Sequence, residues 1–264
     1  SRAIGIFAGN NFMLSDFAVS GSVFEYLFVG IYLRSDINGL DVDGNTFGPF
    51  EIEDCTAAVA GIYIGDGSLP NFDIQNISVT GNLFTDYGRG VYMWNYAHGE
   101  AILNVDISGN TFNNSIWSAG IRLIGQLDPA TQVAVIEGPI TIDDNTFTQS
   151  VDIGGSGGVG LIDFRSGGES ATSQIAVTDN EITFTGSFSS ATYGVVFRGP
   201  ITNATVSGNM MDGGNVGGAN GGPPNTTAIY VATDDSWLGP LSSRAVLDIS
   251  NNYITGFENG IDVY

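Results

Sequence analysis

The side chains best suited to chemistry recur in eight short segments: GIYL at Gly30, GIYI at Gly61, GVYM at Gly90, GIRL at Gly120, LIDF at Leu161, GVVF at Gly194, AIYV at Ala228 and GIDV at Gly260. Their third positions lie between apolar residues two apart, so they share one outward face: Tyr32, Tyr63, Tyr92, Arg122, Asp163, Val196, Tyr230 and Asp262. Two residues further on, the same face carries Arg34, Trp94, Arg165 and Arg198. Aromatic faces pack against the C–H faces of sugars, and guanidinium forks bind carboxylates or sulfates through two parallel hydrogen bonds. Tyr32, Arg34, Tyr63, Tyr92, Trp94, Arg122, Arg165, Arg198 and Tyr230 therefore form a candidate binding stripe for an extended anionic polysaccharide.

For catalysis the best constellation is Asp163 as acid or base, with Arg122 or Arg165 holding a uronate. Further acids that could join it are Asp36, Asp66, Asp234, Asp235 and Asp262, since paired carboxylates across a groove permit glycoside hydrolysis. Two plainer readings stand beside these. Tyrosine covers a β-surface well without binding anything, and opposite charges on neighbouring strands form a neutralising ladder. His98, the sole histidine, reads as a solvated loop residue. Ca²⁺ is the one cofactor suggested: Asp41 and Asp43 begin a calcium-loop pattern that lacks its closing glutamate, and Glu51, Glu53 and Asp54 could chelate with backbone carbonyls.

These segments must be positioned by something, and the chain supplies a repeat. One eight-residue template fits FAVSGSVF from Phe17, LDVDGNTF from Leu40, ISVTGNLF from Ile77, VDISGNTF from Val105, ITIDDNTF from Ile140, IAVTDNEI from Ile175, ATVSGNMM from Ala204 and LDISNNYI from Leu247. The first and third positions are apolar, as in a strand with one buried face. The fifth holds Gly, Asp or Asn, the residues that tolerate positive φ, so the chain bends there. The sixth is Asn45, Asn82, Asn110, Asn145, Asn180, Asn209 and Asn252, with Ser22 the exception. The eighth is a second buried column: Phe24, Phe47, Phe84, Phe112, Phe147, Ile182, Met211 and Ile254.

Each template is followed by one of the outward-facing segments, and AIGI at Ala3 reads as the same strand from a preceding turn. The template strands are constant while the connections vary in length, as in the glycine-rich run after Met211. The sequence thus predicts an all-β parallel β-helix, a solenoid of about eight coils stacked at ~4.8 Å into a rod about 40 Å long. Its asparagines would stack as a ladder at one corner. Residues 1–264 read as one such domain, or as a segment of a longer solenoid.

Composition agrees. The 38 glycines imply a backbone that turns often, the 11 % aromatic content with ample Val and Ile excludes disorder, and a coiled coil would need abundant Glu, Lys and Leu. The chain has seven arginines, no lysine and 28 acids, a net charge of −21. Nucleic acid needs clustered cations, so it is an unsuitable partner. No run of ~18 apolar residues predicts membrane insertion. Cys55 stands alone, so stability must come from packing without an internal disulfide.

The repeated I-x-V-S-G-N-x-F unit, which spans nearly the whole chain, resembles the right-handed parallel β-helix, or pectate-lyase-like, superfamily of secreted bacterial and phage proteins. That resemblance implies fold more than activity, because the superfamily embraces lyases, polygalacturonases, epimerases, tailspikes, adhesins and surface fibres. No specific enzyme family within it is matched. Asp128-Pro129 is followed by Ala130 where the epimerases have Asp-Pro-His, Asp143-Asp144 belongs to the structural template, and the lysine common among lyases has no counterpart.

The leading expectation is an extracellular or cell-surface structural and binding module of surface-fibre, adhesin or matrix type. It would contact glycans through the Tyr/Arg/Trp stripe and other copies of itself end to end, because neither end carries a recognisable cap. The alternative is a lyase, hydrolase or epimerase acting on an acidic glycan in the same stripe. A phage-type receptor-binding spike, which predicts a trimer, is a third reading.

Overall fold

The structure, a computed structural model, describes residues 3–9, 13–49, 59–65, 73–96, 102–115, 118–126, 136–150, 159–166, 174–186, 188, 191–199, 201, 203–214, 226–232 and 246–264. Among these, every regular element is a β-strand, and no helix is long and apolar enough to cross a membrane. The strands form three sheets, and every pairing is parallel between strands one coil apart. The chain runs through one strand of each sheet in turn, so the fold is the parallel β-helix that the template implies.

The second sheet has eight strands, from Met13–Ser20 to Leu247–Ser250, and holds the first half of each template. The third, from Val23–Phe24 to Tyr253–Thr255, holds the second half. The first sheet has nine strands, from Ile4–Ala8 to Asn259–Val263, and carries the outward-facing segments. Its first strand differs from the expected alignment. Ile6 pairs with Ile31 and Phe7 with Tyr32, so GIFA from Gly5, rather than AIGI from Ala3, is the equivalent segment.

The bend between second and third sheets behaves as its residue types require. Gly21, Gly44, Gly81, Gly109, Asp144, Asp179, Gly208 and Asn251 all have positive φ, between 52° and 71°. Immediately after each bend sits the asparagine column, and its hydrogen bonding repeats coil by coil. Asn110 Oδ1 accepts from the backbone N–H of Asn82 (2.9 Å) and from Asn82 Nδ2 (3.0 Å). Asn110 Nδ2 donates to Val79 O (2.8 Å), Ser108 O (3.1 Å) and Asn145 Oδ1 (3.0 Å). The same set recurs from Asn82 to Asn209, while Asn45 Oδ1 accepts from the Ser22 backbone N–H alone; each of these asparagines is 1 % exposed. A buried amide costs free energy unless its donors and acceptor are used, and here the flanking asparagines and nearby backbone carbonyls use them all.

The bore is lined by the alternate residues of all three sheets, including Val79, Ile107 and Ile142, each 0 % exposed. In the third sheet, Phe24, Phe47, Phe84, Phe112 and Phe147 stack with centroids 4.7–4.9 Å apart and planes within 8° of parallel. Each ring lies against the glycine that opens a first-sheet segment. A methyl on Gly120 would stand 2.7 Å from Phe147 Cε1, and one on Gly61 would stand 2.7 Å from Phe84 Cε1. Where the ring column gives way to Ile182 and Ile254, the corresponding first-sheet positions are Leu161 and Ala228. Ring and glycine are thus two halves of one volume constraint.

A second bend column escapes the template. Asp16, Gly39, Asn76, Asn104, Gly138 and Asn203 also have positive φ, just before or near the start of the repeat. On the exposed surface there, Asn76 Nδ2 donates to Asn38 Oδ1 (2.5 Å), and Asn104 Nδ2 donates to Asn76 Oδ1.

Two outcomes follow for stability. Asn110→Ala strands the Val79 carbonyl and the Asn82 amide, and should cost about 3 kcal/mol in thermal or urea unfolding. Gly120→Ala should be strongly destabilising in the native background but less so beside Phe147→Ile, with a coupling of roughly 1 kcal/mol or more in a double-mutant cycle.

Candidate functional site

Register places the expected stripe on the outer face of the first sheet without a break. Tyr32 pairs with Tyr63, Tyr63 with Tyr92, Tyr92 with Arg122, Arg122 with Asp163, Asp163 with Val196, Val196 with Tyr230 and Tyr230 with Asp262. The neighbouring column runs Trp94, Ile124, Arg165 and Arg198. Arg34 follows directly on the strand Val29–Leu33.

The face is not evenly open. Tyr32, Arg34, Trp94, Arg165, Arg198 and Tyr230 are half-buried, while Tyr63, Tyr92, Arg122 and Asp163 are buried. An extended glycan lying on the stripe therefore meets the half-buried residues, not its buried middle. Val29, Ala60, Tyr63 and Tyr92 form a small apolar cluster separate from the bore, with Phe28, Tyr32, Trp94 and Ile124 packed against it. The sheet thus has apolar packing on both faces. Alternation alone predicts which face a residue takes, not what else covers that face.

Within the cluster the rings continue the coil spacing. Tyr32 and Tyr63 stack at 4.8 Å, Tyr63 and Tyr92 meet at 4.8 Å but tilted by 50°, and Trp94 lies 6.0 Å from Tyr92. A second aromatic group occupies the other end: Tyr193 and Tyr230 stack at 4.6 Å, with Tyr264 5.7 Å from Tyr230. Guanidiniums lie over both groups, Arg34 at 5.9 Å from the Tyr32 ring and Arg198 at 5.6 Å from the Tyr230 ring.

Between the aromatic groups is the charged centre. Asp163 Oδ2 accepts from Arg122 Nε (2.8 Å) and Arg122 Nη2 (2.6 Å), and from Arg165 Nη2 (3.2 Å). Arg122 Nη1 donates to Ser118 Oγ at 2.7 Å. Burial pushes the Asp163 carboxyl up, but Arg122, Arg165 and Arg198 together outweigh it and hold the group below its ordinary value. The three residues singled out for catalysis are thus brought together, as a buried ion-pair cluster. A carboxylate this firmly ionised and this occupied is a poor proton donor and a weak base near neutral pH.

Sequence reasoning missed Arg89. It opens the strand Arg89–Tyr96, pairs with Ala60, and lies with its guanidinium carbon 4.1 Å from the Tyr92 centroid. It is 7 % exposed, and burial lowers its pKa from the ordinary arginine value, although Tyr92 pulls the other way. A desolvated cation–π contact contributes about 2 kcal/mol, less than the several kcal/mol typical of burying a cation. The available signal was small: the Arg-Gly that opens GVYM is the sole Arg-Gly beginning one of these segments.

The remaining candidate residues are scattered. Asp36 Oδ1 accepts from the backbone N–H of Asp73, and Asp262 is half-buried beside Tyr230. Asp43 Oδ1 accepts from Thr80 Oγ1, while Asp41 is exposed. Among the described residues no group of three or more His, Cys, Asp or Glu is arranged to hold a metal ion. Cys55, Asp66, His98, Asp128, Asp234, Asp235, Glu51, Glu53 and Asp54 lie outside the described residues.

Asp163→Asn should leave Arg122 buried without its counterion and cost about 3–5 kcal/mol, seen as a lower melting temperature at pH 7. Because the folded carboxyl titrates below the unfolded one, its stabilisation is complete above the unfolded pKa and disappears as pH falls through the folded value. The difference between wild type and Asp163→Asn should therefore be full above the ordinary carboxylate range and shrink progressively as pH falls from there through the folded value.

No protein-family model, curated protein or solved structure matches the chain, so its functional reading rests on the site's own geometry.

Proposed function

We propose that this chain is an extracellular or cell-surface β-solenoid module, a rigid acidic rod that binds glycans along the outer face of its first sheet. The observation that carries the reading is the pair of partly open aromatic groups. Tyr32 and Trp94 lie on one side of the Asp163 cluster and Tyr230 on the other, with Arg34, Arg165 and Arg198 among them. The open parts of these rings offer apolar contact area, and the scaffold beneath them is held by backbone ladders and a saturated amide column, so little order is lost on binding.

In this reading the rod continues through its outermost strands, Ile4–Ala8 and Asn259–Val263, each of which has one neighbour in the sheet. Phe7 and Met13 at one end, and Tyr253 and Val263 at the other, are more than half exposed. Another copy stacked end to end would cover them. A fibre, adhesin or matrix role fits this geometry. A polysaccharide lyase, hydrolase or epimerase is less well supported, because its candidate acid or base, Asp163, is 0 % exposed and shared by two guanidiniums.

Affinity electrophoresis through gels containing pectin, alginate or neutral glucans tests the reading. Retardation by at least one polysaccharide is expected, weakened about tenfold by Trp94→Ala or Tyr32→Ala with the melting temperature little changed. Unretarded migration in all of them, or depolymerisation of any, would overturn it.

A further inference from the structure

Of the tyrosine–tyrosine contacts among the described residues, one is both stacked and open. Tyr193 and Tyr230 lie 4.6 Å apart with planes 26° from parallel, and both are half-buried, so solvent reaches each residue. Tyr63 is buried where it meets Tyr32 and Tyr92. Tyr230 and Tyr264 stand further apart, at 5.7 Å and tilted by 43°. Rigid elements hold the stacked pair. Tyr193 lies on the strand Thr192–Arg198 and Tyr230 on the adjoining strand Thr226–Ala232, paired from Thr192 with Thr226 to Arg198 with Ala232. In register, Tyr193 stands between Gly160 and Thr227, and Tyr230 between Val196 and Asp262, so their own columns supply no ring to either.

Composition leaves few ways to join coils covalently. Cys55 is the sole cysteine and lysine is absent, so the chain can form neither an internal disulfide nor a lysine-derived amide link. Ten tyrosines remain, and phenols couple when oxidised. A link between Tyr193 and Tyr230 would close a loop over residues 194–229, which contains Gly213, Gly214, Gly217, Gly218, Gly221 and Gly222. Glycine has the most backbone freedom to lose on folding, and a cross-link stabilises by limiting that freedom in the unfolded chain.

We propose that Tyr193 and Tyr230 are a modification site, where a peroxide acting through a one-electron haem catalyst forms a dityrosine that staples two adjacent coils. Each phenol gives up one electron and its hydroxyl proton, leaving a phenoxyl radical whose unpaired spin reaches the Cε carbons beside the oxygen. A Cε–Cε bond forms between the rings. Each ring regains aromaticity as the hydrogen on its bonded Cε passes, as a proton, to its own oxygen. The pair loses two electrons and two protons in all, and hydrogen peroxide takes them up to become two waters. Stacking beforehand makes the coupling a reaction within one chain, so it outruns encounters between chains. The link needs no sugar and stands apart from the reading of the outer face as a glycan surface.

Dilute protein treated with hydrogen peroxide and a small haem peptide tests this, with the monomer isolated and digested for peptide mass mapping. The expected product joins the peptides of Tyr193 and Tyr230, is lighter than the two free peptides by two hydrogens, and is about tenfold or more as abundant as any other tyrosine pair in the monomer. The linked monomer should melt about 5 °C or more above the untreated one. In urea sufficient to unfold the chain the preference should vanish, because stacking is what selects the partners. Tyr193→Phe and Tyr230→Phe should each abolish the link. Tyr26, Tyr253 and Tyr264, which are 61 %, 66 % and 69 % exposed, show that the oxidant acted, through links between chains at higher protein concentration. A monomer without the Tyr193–Tyr230 link overturns the proposal. So does one in which Tyr230 couples mainly to Tyr264, or in which the link is equally abundant in urea. The wild-type map decides this even if neither variant folds. A link that leaves the melting temperature unchanged overturns the staple.

Discussion

The stacked amide at the corner of each coil is the interaction on which the remaining architecture depends. Each asparagine from Asn45 to Asn209 offers its oxygen to one neighbour and its nitrogen to the other and to the carbonyl of the preceding coil's strand, such as Val79 O for Asn110. An amide can satisfy both neighbours only when the coils stand in register at the strand spacing. The bend before it must then be sharp and identical each time, which is why Gly, Asp and Asn with positive φ occupy the preceding position. Register at the corner propagates into all three sheets, so every residue acquires a counterpart of the same template position above and below.

Placing like beside like suits some side chains and penalises others. Phenyl rings gain from it, because the coil spacing of 4.7–4.9 Å is also a comfortable stacking distance. Ring width is then accommodated across the bore by glycine, at Gly30, Gly61, Gly90 and Gly120, until Ile182 allows Leu161 in the facing position. Charge does not gain. Arg165 stands in register with Arg198, and these like charges are tolerable because Asp163 pairs with Arg165 and also lowers the potential at Arg198. Asp163 is thus the shared counterion of Arg122 and Arg165.

On the outer face the same repetition produces a surface with unequal parts. Tyr63 and Tyr92 are buried in a small apolar cluster of their own, while Tyr32, Trp94 and Tyr230 stay partly open around the charged centre. The sheet therefore carries rings towards both ends and the Arg122–Asp163–Arg165 ion pairs between them.

Much of this was legible in the chain itself. The residues two apart, the bend types and the Asn column specify inward and outward faces over a few consecutive positions, because strand alternation and positive φ are local properties. Register followed too, since eight copies of one template have one alignment that superposes them all. The first strand shows the limit: without its asparagine corner, AIGI and GIFA are equally plausible, and only pairing with Val29–Leu33 selects Phe7 as the neighbour of Tyr32. Burial of the stripe was out of reach for a different reason. Alternation tells on which side of a strand Tyr92, Arg122 and Asp163 project, whereas their solvent exposure depends on atoms distant in sequence. Arg89 belongs to the same class: its burial beside Ala60 arises only when separate coils are brought together.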